Sequence, residues 1–134
     1  MMMPELTFSV VVAGALGGAM GAIARFLLDR YLRAGILVAN TVGCLSLGVL
    51  VGFVSAFAAD DASGDPASWQ PLLVGLLALG VTGALSTFAT VALRAAQQWM
   101  EGSRWMAVGM WAAHVVCGVA AAAVGLTTGW QLAG

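Results

Sequence analysis

Charge is what this sequence has least of. Of its 134 residues only 8% are Asp, Glu, Lys or Arg, lysine is absent, and there is a single histidine. A water-soluble domain of this size covers its core with far more charge, so the shortage excludes an ordinary soluble globule. A formal net charge of -1 gives no basic field for nucleic acid. Cysteine is nearly as scarce. Cys44 and Cys117 lie in apolar stretches with no Cys or His at ligand spacing, which argues against a metal site and reads both as small packing residues. No nucleophile–base pair, metal cluster or phosphate loop is present, so nothing points to an enzyme. The opening MMMPEL carries no positive charge ahead of the apolar run, which reads as a retained span rather than a cleaved signal peptide.

What is present is apolar. Hydrophobic residues make up 61% of the chain, mean hydropathy is +0.98, and 18 residues are glycine. A span needs roughly 20 mostly apolar residues. Four stretches qualify, at residues 6–28, 36–58, 72–98 and 105–128. The expected fold is therefore an all-α membrane protein, a single domain of four transmembrane helices over residues 1–134. Gly14–Gly18, Gly17–Gly21, Gly48–Gly52 and Gly125–Gly129 repeat the four-residue spacing of small residues that lets membrane helices approach closely.

The linkers fix an orientation. Arg25, Arg30, Arg33, Arg94 and Arg104 all fall near the first and third linkers, while the termini and the middle linker carry none. With Arg25 set aside as a residue inside the first span, the bias still places both linkers in the cytoplasm and both termini on the outer side. The middle linker, ADDASGDPASWQP, is acidic and is bounded by Pro66 and Pro71. Trp69, Trp99, Trp105 and Trp130 sit near span ends, where amphipathic rings favour the headgroup layer.

Polar residues inside such a bundle are costly and therefore informative. They include Arg25, Asn40, Thr41, Ser46, Thr82, Ser86, Thr87, Thr90 and His114. Asn40 is either an interhelical hydrogen-bonding residue or an anion ligand through its amide NH2. Arg25 either snorkels or makes a buried structural contact. The run GVTGALSTFAT, residues 80–90, concentrates four hydroxyls and two glycines near the membrane midplane. Either these hydroxyls bond back to their own helix, or the third helix breaks here and frees carbonyls and hydroxyls for ions. The edge of the Phe88 ring carries partial positive charge that can face an anion, although a lone Phe also serves packing. His114 reads as a hydrogen-bonded packing residue. No Asp or Glu lies inside a span, which argues against a proton-coupled exporter.

Three segments, GALGGAMGAIARF, VANTVGCLSLG and GALSTFAT, resemble the Fluc/CrcB fluoride channels in order and spacing. The resemblance covers essentially the whole chain and implies an antiparallel dimer, two narrow anion pores and a central structural sodium ion. It makes Asn40 the pore asparagine, Phe88 the first phenylalanine of the aromatic box, Thr87 and Thr90 hydroxyls of the third-helix motif, and Arg25 the arginine near the end of the first span. Gly83 and Ser86 fall where family members offer backbone carbonyls to sodium. The implied function is passive export of cytoplasmic fluoride, with fluoride and the bilayer as partners. The chain also departs from the pattern. Val91 replaces the second phenylalanine, Ala89 a serine, Arg94 an acidic residue, and Met110 and His114 stand for the tyrosine and serine of the polar track. One pore lining is thus depleted. Together with the fixed orientation, that depletion implies pairing with a different homologous subunit. Two other readings remain: a small four-span multidrug-type exporter, which lacks its first-span carboxylate here, and a non-conducting assembly subunit.

Overall fold

The computed structural model describes residues 8–60, 80–85 and 88–133. All of its regular structure is helical. Helix α1 spans Phe8–Tyr31, α2 Gly35–Asp60, α3 the single turn Gly83–Leu85, α4 Phe88–Met100 and α5 Arg104–Ala133. Three of the expected spans map onto helices long and apolar enough to cross a membrane: Val11–Tyr31, Gly35–Ala56 and Arg104–Ala133. Of the expected third span, residues 72–79 lie outside the described residues, as does most of the acidic middle linker. Residues 80–82, which immediately precede α3, wind as a π turn, so the glycine- and hydroxyl-rich segment departs from regular α geometry. Helix α5 runs past its expected end at 128. No breaker interrupts TTGWQLA, and the Thr127 and Thr128 hydroxyls donate to the Val124 carbonyl at 2.9 and 2.8 Å.

Glycine decides which helices meet. A Cβ added at Gly48 would strike the Ala122 carbonyl oxygen, and one at Gly52 the Leu126 carbonyl oxygen. Reciprocally, Gly125 lies on the Leu45 carbonyl and Gly129 on that of Val49. The two small-residue stripes therefore interlock backbone to backbone, making α2 and α5 the most closely packed pair. Helix α1 uses the same device against the π turn. A Cβ on Gly80 would sit 2.8 Å from the Gly14 carbonyl oxygen, and one on Gly21 2.7 Å from the Val81 carbonyl oxygen. Gly18 is different, with nothing among the described residues within 4 Å of such a Cβ.

Among the described residues the buried apolar side chains are Ile36, Ala39, Leu85, Val91 and Ala107. Large apolar side chains lie outside instead, among them Phe26, Val51, Val116 and Leu132. That inversion suits a chain whose solvent is hydrocarbon, where large side chains on the periphery cost nothing. Trp99, Trp105 and Trp130 are all exposed, as interfacial residues should be.

At one end of the bundle, α1 and α2 are joined by a tight turn. The Leu32 amide donates to Leu28 at 2.9 Å and the Gly35 amide to Leu32 at 3.1 Å. Between α4 and α5, Gly102 takes the left-handed conformation at φ 85°. The Ser103 amide reaches the Gln98 carbonyl at 2.9 Å and the Gly102 amide the Trp99 carbonyl at 3.2 Å, a Schellman termination. Ser103 then accepts the first bond of α5 from the Ala107 amide at 3.1 Å. Arg94 of α4 bonds both oxygens of Asp29 on α1 at 3.0 Å, so the two linkers lie at the same end of the molecule.

Candidate functional site: two cavities between α2, α4 and α5

Asn40 lies on the second turn of α2 and is only 8% exposed. Four residues on, Cys44 shares its face of the helix. The facing helix presents His114, Gly118 and Ala122 at the same four-residue interval. Gly118 leaves room there, since an added Cβ would come within 3.3 Å of the Cys44 sulfur. Cys44 therefore packs closely against Gly118. Between these faces opens a cavity of about 350 Å³ that also touches Val91 and Trp111. Its polar equipment is small: the Asn40 amide, the thiol, the indole and the imidazole.

A second cavity, of about 230 Å³, lies toward the linker end. Arg33 and Arg94 line it, with Ile36, Leu37, Met110 and His114. Guanidinium groups keep their charge at any pH a protein meets, so this chamber attracts anions. Asp29, on the Arg94 guanidinium, offsets part of that charge, and the pair is exposed enough to contribute no more than about 1 kcal/mol to stability.

Val91 and His114 line both cavities. Val91 is almost wholly buried, at 2% exposure. The His114 ring makes one hydrogen bond, Nδ1 to the Met110 carbonyl at 2.8 Å. A carbonyl only accepts, so the proton of the neutral ring sits on Nδ1 and the lone pair on Nε2. Nε2 is buried and has no hydrogen-bond partner. The expected packing histidine is therefore half satisfied, with Nδ1 bonded and Nε2 buried. A sequence reading that treats a single span at a time cannot see this. The usable signal was the interval Met110–His114–Gly118 facing Asn40–Cys44.

The other expected site residues divide. Thr90 is half-buried on α4, next to Val91. Arg25 is half-buried on α1, away from both cavities. Phe88 opens α4, and Thr87 and Ser86 lie outside the described residues. Thr41 bonds back to the Leu37 carbonyl at 2.8 Å and is spent on its own helix. Gly83 opens α3 and is exposed, which leaves that stretch of backbone accessible to an ion. Among the described residues no group of three or more His, Cys, Asp or Glu could hold a metal.

Comparison with known proteins agrees with the geometry. The family model for CrcB-like protein, Camphor Resistance (CrcB), matches residues 12–126. A fluoride-specific ion channel FluC of Paraburkholderia phymatum is 30% identical over 121 residues, covering 88% of this chain and 92% of its own. One from Corynebacterium jeikeium is 35% identical over 95 residues, 63% of this chain and 67% of its own. One from Aquifex aeolicus is 33% identical over 97 residues, 69% of this chain and 74% of its own.

Proposed function

The chain belongs to the CrcB family, and from that premise we propose that it is a subunit of a fluoride-selective channel for passive export of cytoplasmic fluoride. The observation that carries the proposal is the buried Asn40, set on the wall of a cavity whose neighbour is lined by Arg33 and Arg94. Fluoride is small and strongly hydrated, so a pore must replace its water with donors. Two guanidinium groups concentrate the anion at the linker end, and the amide NH2 of Asn40 takes over hydrogen bonds given up by water. Phe88, Thr87 and Thr90 supply ring edge and hydroxyls to the same path, and Arg25 serves structure.

In this reading four transmembrane helices form each subunit, with the third broken near the midplane, and two subunits pair antiparallel. Backbone carbonyls at Gly83 and Ser86 would hold a structural sodium ion, which would supply a fixed positive charge. The chain is a multi-pass protein of the bacterial inner membrane with both termini outside. The arginine bias fixes that orientation, so the antiparallel partner is a different subunit with the opposite bias. The test is fluoride efflux from liposomes, followed with a fluoride-selective electrode. Asn40→Ala in the conducting assembly should abolish efflux without lowering assembly yield. Loss of yield together with unchanged flux per assembled channel would make Asn40 a packing residue instead.

A further inference from the structure

A third hollow lies between α4 and α5, apart from Asn40 and from the Arg33–Arg94 chamber. It is a groove of about 290 Å³ lined by Ala95, Ala96 and Trp99 of α4 and by Ala107, Val108 and Trp111 of α5. Trp99, Val108 and Trp111 are 51%, 46% and 47% exposed, so the groove opens on the outer face of the bundle. At its linker end stands Arg104, the first residue of α5. We propose that this groove binds an anionic phospholipid, with one acyl chain between the two helices and the headgroup phosphate on the Arg104 guanidinium. The proposal rests on the membrane-spanning fold and not on fluoride conduction.

Helical register puts the charge and the groove on one line. Ala107, Val108 and Trp111 follow Arg104 at three, four and seven residues, the spacing of a single helix face. Those seven residues cover about 10 Å of helix axis, roughly a third of the hydrocarbon thickness. A lipid with its phosphate at Arg104 therefore lays the first part of a chain along the groove. Ala, Val and Trp side chains alone form the lining, which suits methylene groups and not a water-soluble anion. Trp99 joins the two halves of the site. It walls the groove, and the Arg104 guanidinium lies over its ring, 5.4 Å from the centroid. That cation–π contact holds the positive charge at the groove's mouth.

Charge decides the class of lipid. Arg94 is neutralised in part by Asp29, but among the described residues no carboxylate pairs with Arg104. Glu101, three residues before it, is exposed and makes no ion pair there. An exposed, uncompensated guanidinium at the headgroup layer matches a phosphate, which it can grip through two parallel N–H bonds. A zwitterionic headgroup brings its own cation to that place, whereas an anionic one does not. A protein segment seated here would have to bring both an apolar face and a carboxylate.

Native mass spectrometry counts the lipids bound to each oligomeric state of the full chain, purified in detergent and titrated with dioleoyl phosphatidylglycerol or dioleoyl phosphatidylcholine. The phosphatidylglycerol should bind about fivefold or more tightly, the contribution of one arginine at a membrane surface. Equal affinities overturn the proposal. Arg104→Gln should remove the preference and Arg104→Lys should keep most of it. Arg30→Gln, exposed at the same end of the bundle, should leave it unchanged. Equal losses in Arg104→Gln and Arg30→Gln would mean diffuse attraction to a basic end, and would overturn the site. Val108→Trp fills the groove and leaves the charge in place. It should weaken both lipids by at least about fourfold, the equivalent of one buried methylene, and unchanged affinity would refute the seat for the chain. Lipid bound to the monomer and never to the assembled oligomer would make the groove a subunit interface, and would overturn the proposal as well.

Discussion

Asn40 is the residue on which the proposed function turns, and its two readings separate by experiment. A polar contact inside a membrane bundle contributes only about 0.6 kcal/mol on average, so Asn40→Ala should leave thermal stability nearly unchanged. Fluoride efflux should nonetheless fall by at least about tenfold, the rate equivalent of roughly 1.4 kcal/mol lost where the anion is desolvated. Arg94 belongs to the residue scale as well. Its pair with Asp29 is 46% and 39% exposed, and Asp29→Ala should destabilise the fold by less than about 1 kcal/mol. By releasing Arg94 to the cavity it should raise rather than lower fluoride uptake at the linker end, seen as a lower half-saturating fluoride concentration in flux assays. Asn40 could be singled out from sequence because an amide in an apolar span stands out. His114 could not, because its meaning lies in what faces it: Val91 from another helix, and one ring nitrogen left unbonded.

At the scale of elements, glycine was the informative residue and periodicity was not. The pairs Gly48–Gly52 and Gly125–Gly129 were legible as close-packing stripes, and the backbone contacts they make set α2 against α5. Sequence could not show that these two stripes meet each other, nor that Gly18 meets nothing among the described residues, since spacing alone does not name the partner helix. Each interlocking glycine has a carbonyl oxygen where a side chain would go. Gly52→Val should therefore cost about 1–3 kcal/mol or more by overpacking, measured as loss of monodisperse protein on heating in detergent. Gly18→Val should cost far less within the subunit, and a large loss there would place a second subunit against that face of α1. The cluster of glycine and hydroxyl residues left open whether the third helix breaks, and residues 80–82 wind as a π turn. Its course through Ser86 and Thr87 lies outside the described residues.

At the scale of the molecule, the shortage of charge was enough to predict a membrane bundle, because a chain this apolar has no polar shell to offer water. The arginines went further. All but Arg25 lie at the linker end, and the Arg94–Asp29 bond joins the two linkers there. A reporter fused to the C-terminus should consequently be active only on the outer side, as alkaline phosphatase and not as green fluorescent protein. Equal activity of both reporters would mean dual insertion and would remove the reason for a second kind of subunit. An oligomer is implied only by family resemblance, because nothing in one chain's periodicity states what covers its outer faces. Fluoride efflux from liposomes tests the central claim most directly, comparing the chain alone with the chain plus a homologous subunit of opposite arginine bias. The account predicts rapid, fluoride-selective efflux for the pair and none for the single chain. Efflux from the single chain would contradict the paired arrangement, and none from either would contradict the channel.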